Sequence, residues 1–421
     1  MASAPPSSTT SRPIPVAVIA LLSVATFVTM TYETLPVGLI QVMARGLSVS
    51  LDDIGMLVTV YGAVVAIGAI PLSALVARWP HERAFPIVLS VFAASSVIGG
   101  LATNLTVAIV ARLVGGAAHA VFFSVAFAAM VARTAPGRRG RAATALGTGN
   151  ALALVLGIPA ATALGTSTSW RVPFFTTTVC FVVLAVLGRV VIGRRAPVHH
   201  TAVTSARQVL RAAMSRPLLK VAVAVILTMT AHFATYTYVS PILTSAGIWE
   251  SAVPMVLLAY GVMGALSLCG TAVVADRAPS TGLRVTVAVT AACLLGLWFA
   301  QTSALGTVAS VAVWGLAFGA APALWQIVAL RAAPHEPGAG PAVINASFNV
   351  GIAFGAWSGG TVVAQHGVGA LVLGSAAVAF LALAVVVVPR WLPGDRAQPT
   401  RTHERTHERT QERARAMVDT T

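Results

Sequence analysis

Charge, and acid above all, is what this chain has least of. Twelve of its 421 residues are Asp or Glu, charged residues make up 9%, and a single Lys stands against 26 Arg. Soluble globular chains carry roughly 25% charge, so a solvated surface of ordinary make-up is excluded. With 57% hydrophobic residues and a mean hydropathy of +0.85, the composition is that of a polytopic membrane protein. Cysteine is nearly absent. Cys180, Cys269 and Cys293 fall singly in separate apolar runs, which leaves no disulfide framework and no thiolate metal site and makes them small packing residues. Paired carboxylates, a Ser-His-Asp set, a phosphate-cradling glycine loop and metal-ligand spacings are all missing. No loop is long enough for a soluble domain. An enzyme is therefore not expected, and neither a cofactor nor a metal is. The first apolar run, Ile14 to about Met43, is about twice the length of a signal-peptide core and has no small-residue cleavage site with the right flanks. It reads as a retained span.

What the chain does have is long apolar runs. About 20 such residues cross a bilayer, and twelve runs qualify: 15–38, 53–77, 85–102, 105–132, 142–164, 173–192, 218–243, 252–275, 284–302, 305–330, 341–363 and 368–389. Many carry Gly, Ala and Ser at close intervals, as helices packing in lipid require. The predicted class is an all-α membrane protein of twelve transmembrane helices. Its parts are a disordered N-terminus (1–13), a six-helix bundle (14–192), a linker (193–217), a second six-helix bundle (218–389) and a charged tail (390–421).

The net charge of +15 is distributed by side. Twenty-four of the 27 basic residues fall in the termini and in alternate connections, whereas the opposite connections hold only Arg45 and Arg171, and Arg112 lies within a span. The positive-inside rule puts the basic side, both termini and the linker in the cytoplasm of a cell whose inner (plasma) membrane holds the protein. The basic belt then faces anionic lipid headgroups rather than nucleic acid. The tail repeat Arg401-Thr-His-Glu-Arg-Thr-His-Glu-Arg409 reads as a solvated low-complexity segment.

An internal repeat joins the two bundles. Tyr61-Gly62 recurs as Tyr260-Gly261 and Arg78 as Arg277, 199 residues on; Arg133 recurs as Arg331 and Gly157 as Gly355, 198 residues on. Parallel duplicated halves of this kind meet around a midplane cavity that opens alternately to either side. At the longer offset Glu33 falls opposite His232. A competing alignment sets Pro36 against Pro241.

Glu33 is the one acid well inside an apolar run. A carboxylate in hydrocarbon costs several kcal/mol unless paired, hydrated or protonated, so it marks a functional position. Low-dielectric surroundings favour proton uptake by such a group, which makes Glu33 the candidate proton carrier. Its partner is left open between Arg112 and His232. The other reading of Glu33 is a carboxyl at a helix end in the outer interface.

Several stretches resemble the major facilitator superfamily, in particular its drug:proton antiporter branch and the arabinose- and sugar-efflux-like group. They are Thr31-Tyr-Glu-Thr-Leu-Pro-Val-Gly-Leu39, Arg112-Leu-Val-Gly-Gly-Ala-Ala-His-Ala-Val-Phe-Phe123, Gly149-Asn-Ala-Leu-Ala-Leu-Val-Leu-Gly-Ile-Pro159 and Ser169-Trp-Arg171. The resemblance covers 14–389. It implies the major facilitator fold, with two pseudo-symmetric six-helix bundles, and an antiporter that exports small molecules in exchange for protons. It also implies that Arg112 moves protons or holds a carboxylate. The alternative for Arg112 is snorkelling to headgroups. His119, two turns along the same face, titrates near neutrality or serves as a packing residue. In the fifth span Gly149, Gly157 and Pro159 suit a helix that rocks against its neighbour, with Asn150 facing the cavity. Two positions depart from the resemblance. Ala77 stands where an Asp precedes Arg78, although the second copy keeps Asp276-Arg277, and Glu82 is the available substitute. Gln41 stands where a proline closes the first span.

Candidate cavity residues are Tyr32, Phe123, Asn150, His232, Tyr236, Trp325, Gln326, Asn345 and Asn349, an aromatic and amphiphilic set. Each has a second reading as an interface aromatic or an interhelical hydrogen bond. The expected function is a proton-coupled exporter of small organic molecules, drugs ahead of sugars or other metabolites, with an importer as the less favoured direction. The expected partners are substrate, protons and the bilayer, and the protein is expected to be a monomer.

Overall fold

The computed structural model describes residues 16–134, 139–192, 211, 214–333 and 339–388. The expected N-terminus 1–13, the tail 390–421 and most of the linker 193–217 lie outside them. The first half comprises α1 (Val16–Leu47), α2 (Leu51–Val76), α3 (His81–Gly100), α4 (Leu105–Val131), α5 (Arg139–Leu152), a π turn (Ala153–Gly157), α6 (Ile158–Ser167) and α7 (Arg171–Ile192). The second comprises α8 (Arg216–Thr237), α9 (Val239–Ser245), a 3-10 turn (Glu250–Ala252), α10 (Val253–Arg277), α11 (Pro279–Phe299), α12 (Ala304–Gly319), α13 (Ala321–Ala332) and α14 (Ala339–Val387). No strand occurs among the described residues.

Among the described residues eleven segments are long and apolar enough to cross a membrane. The last of them turns at Gly367, whose φ of +79° suits a residue without a Cβ, and so counts as two. That restores the twelve spans and places their break where the apolar runs 341–363 and 368–389 meet. Sequence sets the helix starts. Ser50 and Asp53 form a reciprocal capping box on α2, Asn104 accepts from the Val107 amide at the head of α4, and Ser303 caps α12. Span ten breaks between α12 and α13 around Ala320 and Pro322, whereas its counterpart α4 is continuous.

Glycines bring the helices together, and they do so twice over. A Cβ on Gly116 would meet the Tyr61 carbonyl at 3.1 Å, and one on Gly315 would meet the Tyr260 carbonyl at 2.3 Å. A Cβ on Gly157 would lie 2.0 Å from Thr31 Oγ1, and one on Gly355 would lie 2.7 Å from the Thr230 carbonyl. Thr31 and Thr230 are 199 residues apart, so α1 and α8 correspond at that offset and Glu33 does stand in the position of His232. The seams between halves repeat as well. Gly62 of α2 packs on Asn349, Ile352 and Ala353 of α14, while Gly261 of α10 packs on Leu154 and Val155 of the π turn.

At the end of α1 the halves are tied by polar contacts. Gln41 Nε2 donates to Thr244 Oγ1 at 2.8 Å and Gln41 Oε1 accepts from Ser240 Oγ at 2.9 Å. One turn on, Arg45 forms a two-pronged pair with Glu250 at 2.8 and 2.9 Å. Tyr238 seats against Gly55 and Gly360 and donates to the Ala356 carbonyl at 3.1 Å. The position that departs from the family pattern, Gln41, is therefore a bridge between halves. At the opposite, basic end Glu82 lies 3.9 Å from His81 and acts on Arg133 at the end of α4, where burial pushes the guanidinium below its usual range and the Glu82 charge opposes the fall. These described contacts of Glu82 stay within the first half.

Candidate functional site

The site begins with a proline. Pro36 sits inside α1 and has no amide hydrogen for the carbonyl four residues back, which is that of Tyr32. Arg112 of α4 answers it. This side chain is 1% exposed. Nη1 donates to the Tyr32 carbonyl at 3.2 Å, Nη2 to the Glu33 carbonyl, and Nε to the Leu57 carbonyl of α2 at 3.2 Å. The guanidinium lies over the Tyr61 ring at 4.1 Å and the Tyr32 ring at 5.3 Å, where ring quadrupoles attract it. Arg112 is thus neither snorkelling nor seated on the Glu33 carboxylate. Its described hydrogen bonds all run to main-chain oxygens, and they lock α4 to α1 and α2.

Glu33 occupies the middle of α1, not an end, with a side chain 17% exposed. Its Oε2 lies 3.6 Å from His119 Nδ1, and the same nitrogen is 3.0 Å from the Tyr61 hydroxyl. The near partner of the carboxyl is therefore His119, neither Arg112 nor His232. Tyr32, fully buried, turns away from this group: its hydroxyl shares a hydrogen bond with Ser95, which donates onward to the Ala111 carbonyl at 2.6 Å. Chemically the trio offers a carboxyl with some solvent access, an imidazole that can share its proton, and a phenol that fixes the imidazole, beside a permanent positive charge.

In the second half the corresponding positions are aromatic. At the 199-residue offset Glu33, Tyr61 and His119 become His232, Tyr260 and Phe318. The His232 ring stacks on Phe318 with centroids 3.4 Å apart and planes 5° apart, and on Tyr236 at 5.2 Å and 18°. Trp314 meets His232 edge-on at 4.9 Å and Tyr260 at 5.4 Å. Tyr61 and Tyr260 had drawn notice only as markers of the repeat. The same offset applied to His119 is the signal that would have found Phe318.

The remaining candidates are dispersed. Phe123 is exposed, with its ring 5.5 Å from His119. Asn150 is exposed on α5. Asn349 donates to the Asn345 carbonyl at 2.9 Å, close to the α2–α14 seam that Gly62 fills. Trp325 belongs to a second apolar cluster with Leu218, Val221 and Val328, against which Phe318 also packs, and Gln326 beside it is half-buried. Gly149 and Gly157 lie against Ser23 and Thr31 of α1, and Pro159 opens α6 just after the π turn. Such turns are single-residue widenings frequent at functional positions, and nothing in the composition of this stretch foretold one. Arg277 is exposed at the end of α10, and the Asp276 side chain is outside the described residues.

Comparison with known proteins bears on the family and the fold. The chain matches the Major Facilitator Superfamily profile over residues 22–356. It is 29% identical over 378 residues to a chloramphenicol efflux pump of Mycobacterium tuberculosis, covering 84% of this chain and 88% of that protein. Among solved structures it resembles the nucleoside transporter NupG, with a TM-score of 0.69 over 88% of this chain and 98% of that one, at 12% identity. That likeness speaks to the fold.

Proposed function

The chain belongs to the Major Facilitator Superfamily, and from that membership and the site we propose that it is a proton-coupled exporter of small organic molecules, drugs of the chloramphenicol kind foremost and sugars or other metabolites second. As a member of this family it is a multi-pass membrane transporter and not an enzyme. The observation that carries the reading is the Glu33 carboxyl, inside a span and 3.6 Å from His119. With Glu33 ionised and His119 protonated the two attract across 3.6 Å; protonation of Glu33 removes the attraction. A conformational equilibrium sensitive to that difference couples proton binding to alternating access by linkage. The relative's name supports both the direction and the drug class.

The bias of basic residues supports an orientation with both termini on the cytoplasmic side of the inner membrane. On that orientation the Gln41 and Arg45 contacts close the external face, and this is the conformation that receives substrate from the cytoplasm. The bundle boundaries at 14–192 and 218–389 belong to the same proposal, as does a monomeric state.

Glu33→Gln in proteoliposomes tests it. Under an imposed pH gradient the variant is expected to lose accumulation of chloramphenicol while still exchanging it down its own gradient. Gradient-driven transport at the wild-type rate would remove Glu33 from the mechanism.

A further inference from the structure

The aromatic group of the second half is not used by proton coupling, and it contains a chemical oddity. Two of its polar atoms are buried and have no hydrogen-bond partner: His232 Nδ1, in a residue 2% exposed, and Trp314 Nε1, in a residue 0% exposed. Buried polar atoms are nearly always paired, and an exception asks for an explanation. The two rings touch, with centroids 4.9 Å apart, and the orphans are opposite in sense. The indole N–H only donates, while the imidazole nitrogen accepts when the proton sits on Nε2. A group that accepts from one and donates to the other is a hydroxyl or an amide.

Around them stand Tyr236, Tyr260 and Phe318, every ring within 6.4 Å of His232. Stacked and edge-on faces of this kind recognise another aromatic ring. Charge recognition has no basis here. None of the ion pairs among the described residues involves His232, and across the seam the one intramembrane acid is engaged by His119 beside the Arg112 cation. A cationic substrate would find no free counter-charge.

We infer that His232, Tyr236, Tyr260, Trp314 and Phe318 form the half-site for the substrate's ring, and that Trp314 Nε1 and His232 Nδ1 bind a hydroxyl or amide carried next to it. The substrate class is an uncharged aromatic compound with such a group. This rests on the exporter reading above and deepens it. The duplicated halves then divide the work: one copy of the constellation carries the proton and the other carries the ring. Phe318, stacked on His232, closes the box in this conformation and is the ring that turns aside when substrate enters.

The test is equilibrium binding of chloramphenicol to the purified full-length protein, with nitrobenzene and tetraphenylphosphonium as competitors. Trp314→Phe keeps a ring and removes the indole N–H, and His232→Phe keeps a ring and removes both imidazole nitrogens. Each is expected to weaken chloramphenicol binding by roughly 2–13-fold or more, the range for one lost hydrogen bond, and to leave competition by nitrobenzene unchanged. Trp325→Phe is the control, because Trp325 Nε1 is also buried and unpartnered but its ring makes none of the described ring contacts with His232; its binding should match wild type. Affinities of Trp314→Phe and His232→Phe within twofold of wild type would overturn the assignment. So would an equal loss in Trp325→Phe, or competition by tetraphenylphosphonium as strong as by unlabelled chloramphenicol. A wild-type protein that binds neither chloramphenicol nor any other uncharged aromatic in the panel would take the drug-exporter reading down as well.

Discussion

Replacing Gln41 by Ala should unfasten one face of the transporter. The Gln41 amide is used at both ends, donating to Thr244 at 2.8 Å and accepting from Ser240 at 2.9 Å, and both partners belong to the other half. A net 0.5–1.5 kcal/mol per hydrogen bond gives about 1–3 kcal/mol for the two. That shifts the balance between the state closed at this end and the state open there by roughly 5–150-fold. The neighbouring Arg45–Glu250 pair looks stronger on paper, being ionic and two-pronged, but Arg45 is 61% exposed. Exposed pairs are worth about 0.2–1 kcal/mol and fade with salt. Gln41→Ala should therefore outweigh Arg45→Ala, and only the effect of the latter should disappear at high ionic strength. The assay is a pulsed electron-paramagnetic-resonance distance between spin labels at Thr103 and Thr302. These are exposed turn residues, one on each half, that correspond under the repeat. Wild type should show one dominant short distance, and Gln41→Ala should add a longer population. An unchanged distribution in Gln41→Ala, with a clear shift in Arg45→Ala, would refute the ranking.

Three further outcomes are expected. Arg112→Lys keeps the charge but cannot serve three carbonyls on two helices; each carbonyl left unpaired costs about 1–3 kcal/mol, and thermal unfolding of the purified variant should begin at a visibly lower temperature. Gly157→Ala places a Cβ 2.0 Å from Thr31 Oγ1, an overpacking of roughly 1–3 kcal/mol; adding Thr31→Ala should restore much of the lost transport rate, and failure of that rescue would show that the contact is not the cause. Ser50→Ala removes the reciprocal cap of α2 at about 1 kcal/mol. Its signature should be faster amide exchange in the first turn of α2, with transport little changed.

Much of this architecture was legible because lipid imposes strict rules on sequence. Run length located the spans, and the repeat points to two halves. Even the break at Gly367 lies in the short gap between two apolar runs. Glu33 stood out for the same reason, as an acid where acids are costly. What stayed hidden were relations between helices. The partner of Glu33 turned out to be His119, which depends on how α1 and α4 face one another and not on spacing along either. Arg112 binds carbonyls because Pro36 leaves one free, and a main-chain acceptor has no letter in the sequence. Gln41 looked like a departure from a pattern until its two partners on the other half were in view. The π turn at Ala153–Gly157 left no mark in composition, since it is a change in hydrogen-bond register and not in residue type. Trp325 and Trp314 are alike as residues in an apolar span, and only three-dimensional packing separates the core tryptophan from the one beside His232.

The interruption of span ten explains why the two copies do not superimpose letter for letter. The offset between them is 199 residues up to Gly116 and Gly315 and 198 from Arg133 and Arg331 onward, so the second copy is one residue shorter between these points. In an unbroken helix such a deletion would swing everything beyond it by about 100°, presenting the wrong side chains to each neighbour. The turn at Ala320, two residues before Pro322, lies within that interval and separates α13 from α12. The residues of α13, Trp325 among them, sit one position out of the register that still pairs Phe318 with His119.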